Sequence, residues 1–165
     1  MGSRLGALIV SLVIAAAFAP AVAQAQTMVL DTDDRRIYSI EGEWSLYREL
    51  VEDAITQQGM VINTVGHIAS MLERTGAAVG GEPIYRHGEA LEFCSAVYSR
   101  RMMEADPHAI VFCPYVIAVY ELQSEPGTVY IGYQKTPVVG DEATQSALNE
   151  VNALIERVVQ GAIAF

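Results

Sequence analysis

Apolar positions change their spacing along the chain, and each spacing predicts an element. Residues 5–18 form an apolar run broken only by Gly6 and Ser11. Residues 36–41 alternate, with Ile37 and Ser39 on one face and Tyr38 and Ile40 on the other, which predicts a short strand. Over residues 43–58, Trp44, Tyr47, Val51, Ala54 and Ile55 recur at helical spacing, with Gly59 placed as a left-handed stop. Residues 60–62 predict a brief strand, and residues 65–74 a second helix ended by Gly76. Residues 75–83 are small and glycine-rich, which predicts a loop.

Alternation returns over residues 89–94, with Ala90, Glu92 and Cys94 opposite Leu91 and Phe93. Ser95 can cap a helix to residue 105, closed by Asp106-Pro107. Residues 109–122 are apolar on both faces, which predicts a long strand covered on both sides. Pro114 interrupts it and cannot donate to a ladder, so a bulge or change of partner is expected there. Glu125-Pro126-Gly127 is a turn, and residues 128–134 are its hairpin partner. Asp141 caps a last helix over residues 141–162, striped by Ala147, Leu148, Val151, Leu154, Ile155, Val158 and Val159.

The resulting order, β-α-β-α-β-α-β-β-α, predicts one compact α+β domain: a mixed sheet with a C-terminal hairpin and helices packed on it. A crossover helix at 95–105 would make strands 89–94 and 109–122 parallel, with Cys113 nearly level with Cys94.

The start of the chain reads differently from the rest. One positive charge, Arg4, precedes the apolar run; Pro20 ends it; the small-x-small sites Ala21-Val22-Ala23 and Ala23-Gln24-Ala25 follow. That is the order of a cleavable signal peptide over residues 1–25, and the run is short for a membrane span. Residues 26–35 read as a flexible leader and residues 36–165 as the domain. The expected location is periplasmic or secreted, with no membrane span after cleavage. About 140 residues remain, enough for one domain with a real core.

The formal net charge is −10, and Arg35-Arg36 and Arg100-Arg101 are isolated basic pairs among acids. A phosphate-neutralising stripe is absent, which excludes nucleic acid as an expected partner. No G-x-S-x-G elbow and no phosphate-cradling glycine pattern occurs, so no catalytic residue is assigned and an enzyme is the less supported class.

Cys94 and Cys113 are the most informative pair. In a secreted chain, two cysteines invite a disulfide. The alternatives are a reactive thiol, because Cys94 directly precedes a helix start, and two inert buried cysteines. His67, His87 and His108 have no metal-ligand spacing, so no metal site is assigned. His87 and Cys94 with Met102 and Met103 nearby offer soft ligands that suit copper or haem iron. His87, Met102, Tyr115 and Tyr120 are candidate lining for an apolar pocket.

The segment Phe93-Cys94-Ser95, Ala105-Asp106-Pro107, Cys113-Pro114-Tyr115, Val119-Tyr120-Glu121 and Gly127-Thr128-Val129-Tyr130 resembles the domain-of-unknown-function family 302. The likeness covers about residues 36–134. Where the family commonly has Cys-Asn-Pro and Pro-Cys, this chain has Cys94-Ser95-Ala96 and Cys113-Pro114, which fits a secreted subgroup. The resemblance implies a compact α+β fold, often a homodimer, and no established activity or cofactor. The expected function is a non-enzymatic domain that binds a small molecule or an envelope protein. The alternatives are a thiol–disulfide redox protein using Cys94 and Cys113, and a haem- or copper-binding protein.

Overall fold

The computed structural model describes residues 26–164, so the proposed signal segment lies outside the described residues. Six strands form a sheet: β1 (Thr27–Asp31), β2 (Arg35–Glu41), β3 (Val61–Gly66), β4 (Tyr85–Cys94), β5 (Tyr115–Leu122) and β6 (Thr128–Gln134). Four α-helices accompany it: α1 (Trp44–Gln57), α2 (Ile68–Val79), α3 (Ala96–Ala105) and α4 (Glu142–Ile163). A 3-10 turn spans Pro107–Phe112. Strand order is β1-β2-β6-β5-β4-β3. The single α+β domain is as the sequence predicts and β5 is central, but its Val116, Ala118, Tyr120 and Leu122 face is only partly buried, so the strand is not covered on both sides as expected.

Every neighbouring pair is antiparallel, so the sheet is not mixed. The reason lies in lengths. β4 runs ten residues, about 33 Å, because pairing starts at Tyr85 rather than Glu89. A ten-residue α3 spans only about 15 Å and cannot carry the chain back to the start of such a strand. The chain instead folds over at the same end of the sheet, and Phe93 pairs with Tyr115.

The long strand expected over residues 109–122 divides accordingly. Asp106 accepts a hydrogen bond from the His108 amide at 2.9 Å and opens the 3-10 turn, so β5 begins only after Pro114. Pro114 therefore bounds the strand instead of bulging it; its peptide bond with Cys113 is cis. Residues expected as a loose leader contain β1, which pairs with β2 from Thr27–Ser39 to Asp31–Arg36. Helix α2 continues past Gly76 to Val79.

Other local signals hold. Ser95 Oγ accepts from the Tyr98 amide at 3.4 Å, and Asp141 Oδ1 from the Thr144 amide at 2.9 Å. Gly59 takes φ +74° after α1 and Gly127 takes φ +87° in the hairpin turn, backbone regions costly for any side chain.

One face of the sheet carries the core. Tyr38, Ile40, Leu91, Phe93, Tyr115, Ile117, Val119, Val129, Ile131 and Tyr133 point to it and are buried. They meet the α1 stripe Tyr47, Val51, Ala54, Ile55 and the α4 stripe from Ala147 to Val159. Each such aliphatic or aromatic side chain contributes about 1.5–3 kcal/mol by leaving water. On the opposite face α2 packs on β4. Small residues allow that approach: a Cβ on Gly88 would lie 3.5 Å from Ala69 Cβ. No described helix is long and apolar enough to cross a membrane.

Candidate functional site

A groove of about 730 Å³ opens between α2, the segment 80–84 and β4. It turns round β4 where that strand runs beyond β3: His87 and Glu89 share the core face, paired with Glu121 and Val119 of β5, and Gly88 lies on the face that α2 covers. Trp44, at the start of α1, forms one wall. Its indole Nε1 donates to the Val119 carbonyl at 3.0 Å, which pins the ring. The His87 imidazole stacks on that ring, with centroids 4.8 Å apart and planes 17° apart.

Ion pairs fix the polar side of the groove. Glu89 bridges two elements: its Oε1 lies 2.8 Å from His67 Nδ1 and its Oε2 accepts from Arg48 Nε at 2.9 Å. Arg48 also pairs with Glu52 one turn further along α1. Glu121 is a buried carboxylate on β5, and its Oε1 accepts from the Gly127 amide at 2.9 Å and lies 3.2 Å from Arg86 Nε. His87 Nε2 stands 4.0 Å from Glu121 Oε2. Leu72, Val79 and Ile84 supply apolar lining. The groove thus offers a flat aromatic surface beside donors and acceptors already oriented by neighbours.

Of the expected pocket residues, only His87 lines it. Met102 and Tyr115 lie in the core on the helix side of the sheet. Tyr120 projects from the other face, stacked on Tyr130 at 5.1 Å and edge-on to Tyr85 at 5.6 Å. The soft-metal grouping also comes apart. His87 and Cys94 sit at opposite ends of β4, about 20 Å apart by strand rise, and Met102 is fully buried. Trp44, His67, Arg86, Glu89 and Glu121 were not singled out as ligand residues by sequence. The usable signal was the alternation that sets His87 and Glu89 on one face.

The cysteines meet at the opposite end of β4. Both thiols are free and half-buried, within hydrogen-bonding reach of each other. Ser99 Oγ, one turn into α3, lies 3.4 Å from Cys113 Sγ and 3.0 Å from Tyr115 Oη. Burial, and then the neighbouring sulfur, push the Cys94 thiol above its ordinary range. Burial likewise keeps the Tyr115 hydroxyl protonated far above neutral pH.

A further polar cluster joins α4 to the sheet. Glu156 accepts from Tyr38 and Tyr133, each at 2.6 Å, and from Gln160 at 2.9 Å, and pairs with Arg36 at 3.1 Å. Among the described residues, no group of three or more His, Cys, Asp or Glu could hold a metal ion.

The profile of the domain of unknown function DUF302 matches residues 42–162, most of the chain. The chain belongs to the DUF302 family. A search of curated proteins finds no match. The fold is similar to the crystal structure of an uncharacterized conserved DUF302 protein from Bacillus stearothermophilus. The TM-score is 0.64 at 18% identity, covering 86% of this chain and 99% of that one. At that identity the likeness concerns the fold alone.

Proposed function

We propose that this DUF302 protein is a non-enzymatic, extracytoplasmic binding domain whose α2–β4 groove takes a small planar heteroaromatic molecule. The observation that carries this reading is the Trp44–His87 stack in the wall of a 730 Å³ groove. A pinned indole and an imidazole give a planar ligand a stacking surface whose order is already paid for. Arg86 and His67 offer donors at the rim, and Glu73 and Glu82 offer acceptors. The volume suits a small ligand. The N-terminal order of Arg4, apolar run and small-x-small sites supports export.

Trp44 is the only tryptophan, so its fluorescence reports on the groove directly. Titration with a panel of heteroaromatic acids and amides, nucleosides included, should quench or shift that emission saturably for at least one member. The same member should raise the melting temperature by mass action. No response in either readout across the panel would sink this reading.

A further inference from the structure

We propose that Cys94 and Cys113 form a reversible dithiol–disulfide pair that exchanges with an external disulfide. The inference is independent of the groove, which lies at the other end of β4. Topology brings the sulfurs together: Phe93 pairs with Tyr115, so the exit from β4 and the entry to β5 lie side by side. The thiols stand within hydrogen-bonding reach, and neither is sealed in the core.

The neighbours give the two sulfurs different roles. A thiolate at Cys113 can only accept, so Ser99 must donate to it, and Ser99 then accepts from Tyr115. The Tyr115 hydroxyl, held protonated by burial, is suited to that donation. This chain sets a hydroxyl donor against Cys113 Sγ. Cys94 accepts from the Tyr115 amide, but burial and the neighbouring Cys113 sulfur outweigh that bond and hold its thiol protonated. Cys113 is therefore the attacking sulfur and Cys94 the resolving one.

The surroundings favour contact with another molecule. Val61, the strand partner of Cys94, is 72% exposed; Val97, in the first turn after it, is 58% exposed. Ile110 and Val111, just before Cys113, are 59% and 75% exposed. A dithiol that served packing alone would not need an apolar rim left open to solvent.

The exchange balances as follows. The Cys113 thiolate attacks one sulfur of an external disulfide RSSR, forming a mixed disulfide and expelling RS⁻. Cys94 yields its proton to solvent, attacks Cys113 Sγ and expels the second RS⁻. The protein loses two electrons and two protons as its disulfide forms, and RSSR is reduced to two thiols.

The test equilibrates the purified protein in mixtures of oxidised and reduced glutathione, followed by thiol titration and intact mass. The expected result is one reversible transition between two free thiols and none. Cys94→Ser should hold one glutathione on Cys113, taking it up about ten-fold faster than Cys113→Ser takes it up on Cys94. Ser99→Ala in the Cys94→Ser background should slow that uptake, while Ser99→Thr should restore it. Thiols that persist in oxidised glutathione would overturn the proposal. So would a bridge that stays closed in excess reduced glutathione, or equal uptake on the two cysteines.

Discussion

The Tyr133 hydroxyl donates to Glu156 Oε2 at 2.6 Å, linking the end of β6 to the middle of α4 across an otherwise apolar interface. Tyr38 donates to the other oxygen at the same distance. Burial pushes the Glu156 carboxyl upward, but hydrogen bonds from Tyr133, Tyr38 and Gln160 and the charge of Arg36 outweigh it and hold it below its ordinary value.

That depression has a pH consequence. A carboxyl with a folded pKa below its unfolded value contributes stability above the ordinary glutamate range, near 4.3, and loses it as pH falls through the folded value. Urea midpoints measured from pH 7 to pH 3 should therefore fall. Glu156→Gln should flatten that acid limb, and Glu156→Ala should cost at least about 2 kcal/mol at pH 7, because it strands two tyrosine hydroxyls. An unchanged acid limb in Glu156→Gln would contradict the assignment.

The α2–sheet contact makes a size prediction. A Cβ on Gly88 would meet Ala69 Cβ at 3.5 Å and Tyr120 Cβ at 3.7 Å, ordinary contacts, and its φ is not in the left-handed region. Gly88→Ala should be tolerated. Gly88→Val adds methyls with no room and should cost about 1–3 kcal/mol. Amide hydrogen exchange should show the loss concentrated in α2, which has no buried residue to hold it otherwise.

His87 separates binding from stability. Its ring is half-exposed, so His87→Ala should change stability by no more than about 0.5 kcal/mol. It should nonetheless weaken the response of Trp44 emission to any heteroaromatic compound that binds the wild-type groove. Equal affinities for wild type and variant would place the ligand elsewhere.

The thiol pair should couple stability to redox state. Closing the loop from Cys94 to Cys113 is worth about 3 kcal/mol by loop-closure entropy. The oxidised protein should thus melt at higher temperature than the reduced one. Burial and the neighbouring sulfur raise the Cys94 thiol above its ordinary value, so the reduced protein has a stability term that is full below the ordinary thiol range and is lost as pH rises through the folded value. Calorimetry of the oxidised protein should show no corresponding decline between pH 9 and the tyrosine range.

Much of the fold was legible locally. The α1 and α4 stripes, the caps at Ser95 and Asp141 and the Gly59 and Gly127 turns all read from near neighbours in the chain. The failures share one physical origin. Strand β1 is five residues long and almost wholly exposed, and it exists through its ladder with β2, which lies outside any local window. Residues 107–112 are apolar enough for a strand, yet Asp106 and Pro107 favour a turn, and the fold uses them to reverse direction.

By itself, the sequence determined the class of the domain, the family to which it belongs and its central apolar strand. Those properties rest on periodicity, turn chemistry and the spacing of a few residues, all local. Only the tertiary structure decided that the sheet is wholly antiparallel, because that depends on the length of α3 against the length of β4. It alone brought Trp44 onto His87, Glu89 between His67 and Arg48, and Ser99 onto Cys113. Such contacts join residues tens of positions apart, and no spacing along the chain records them.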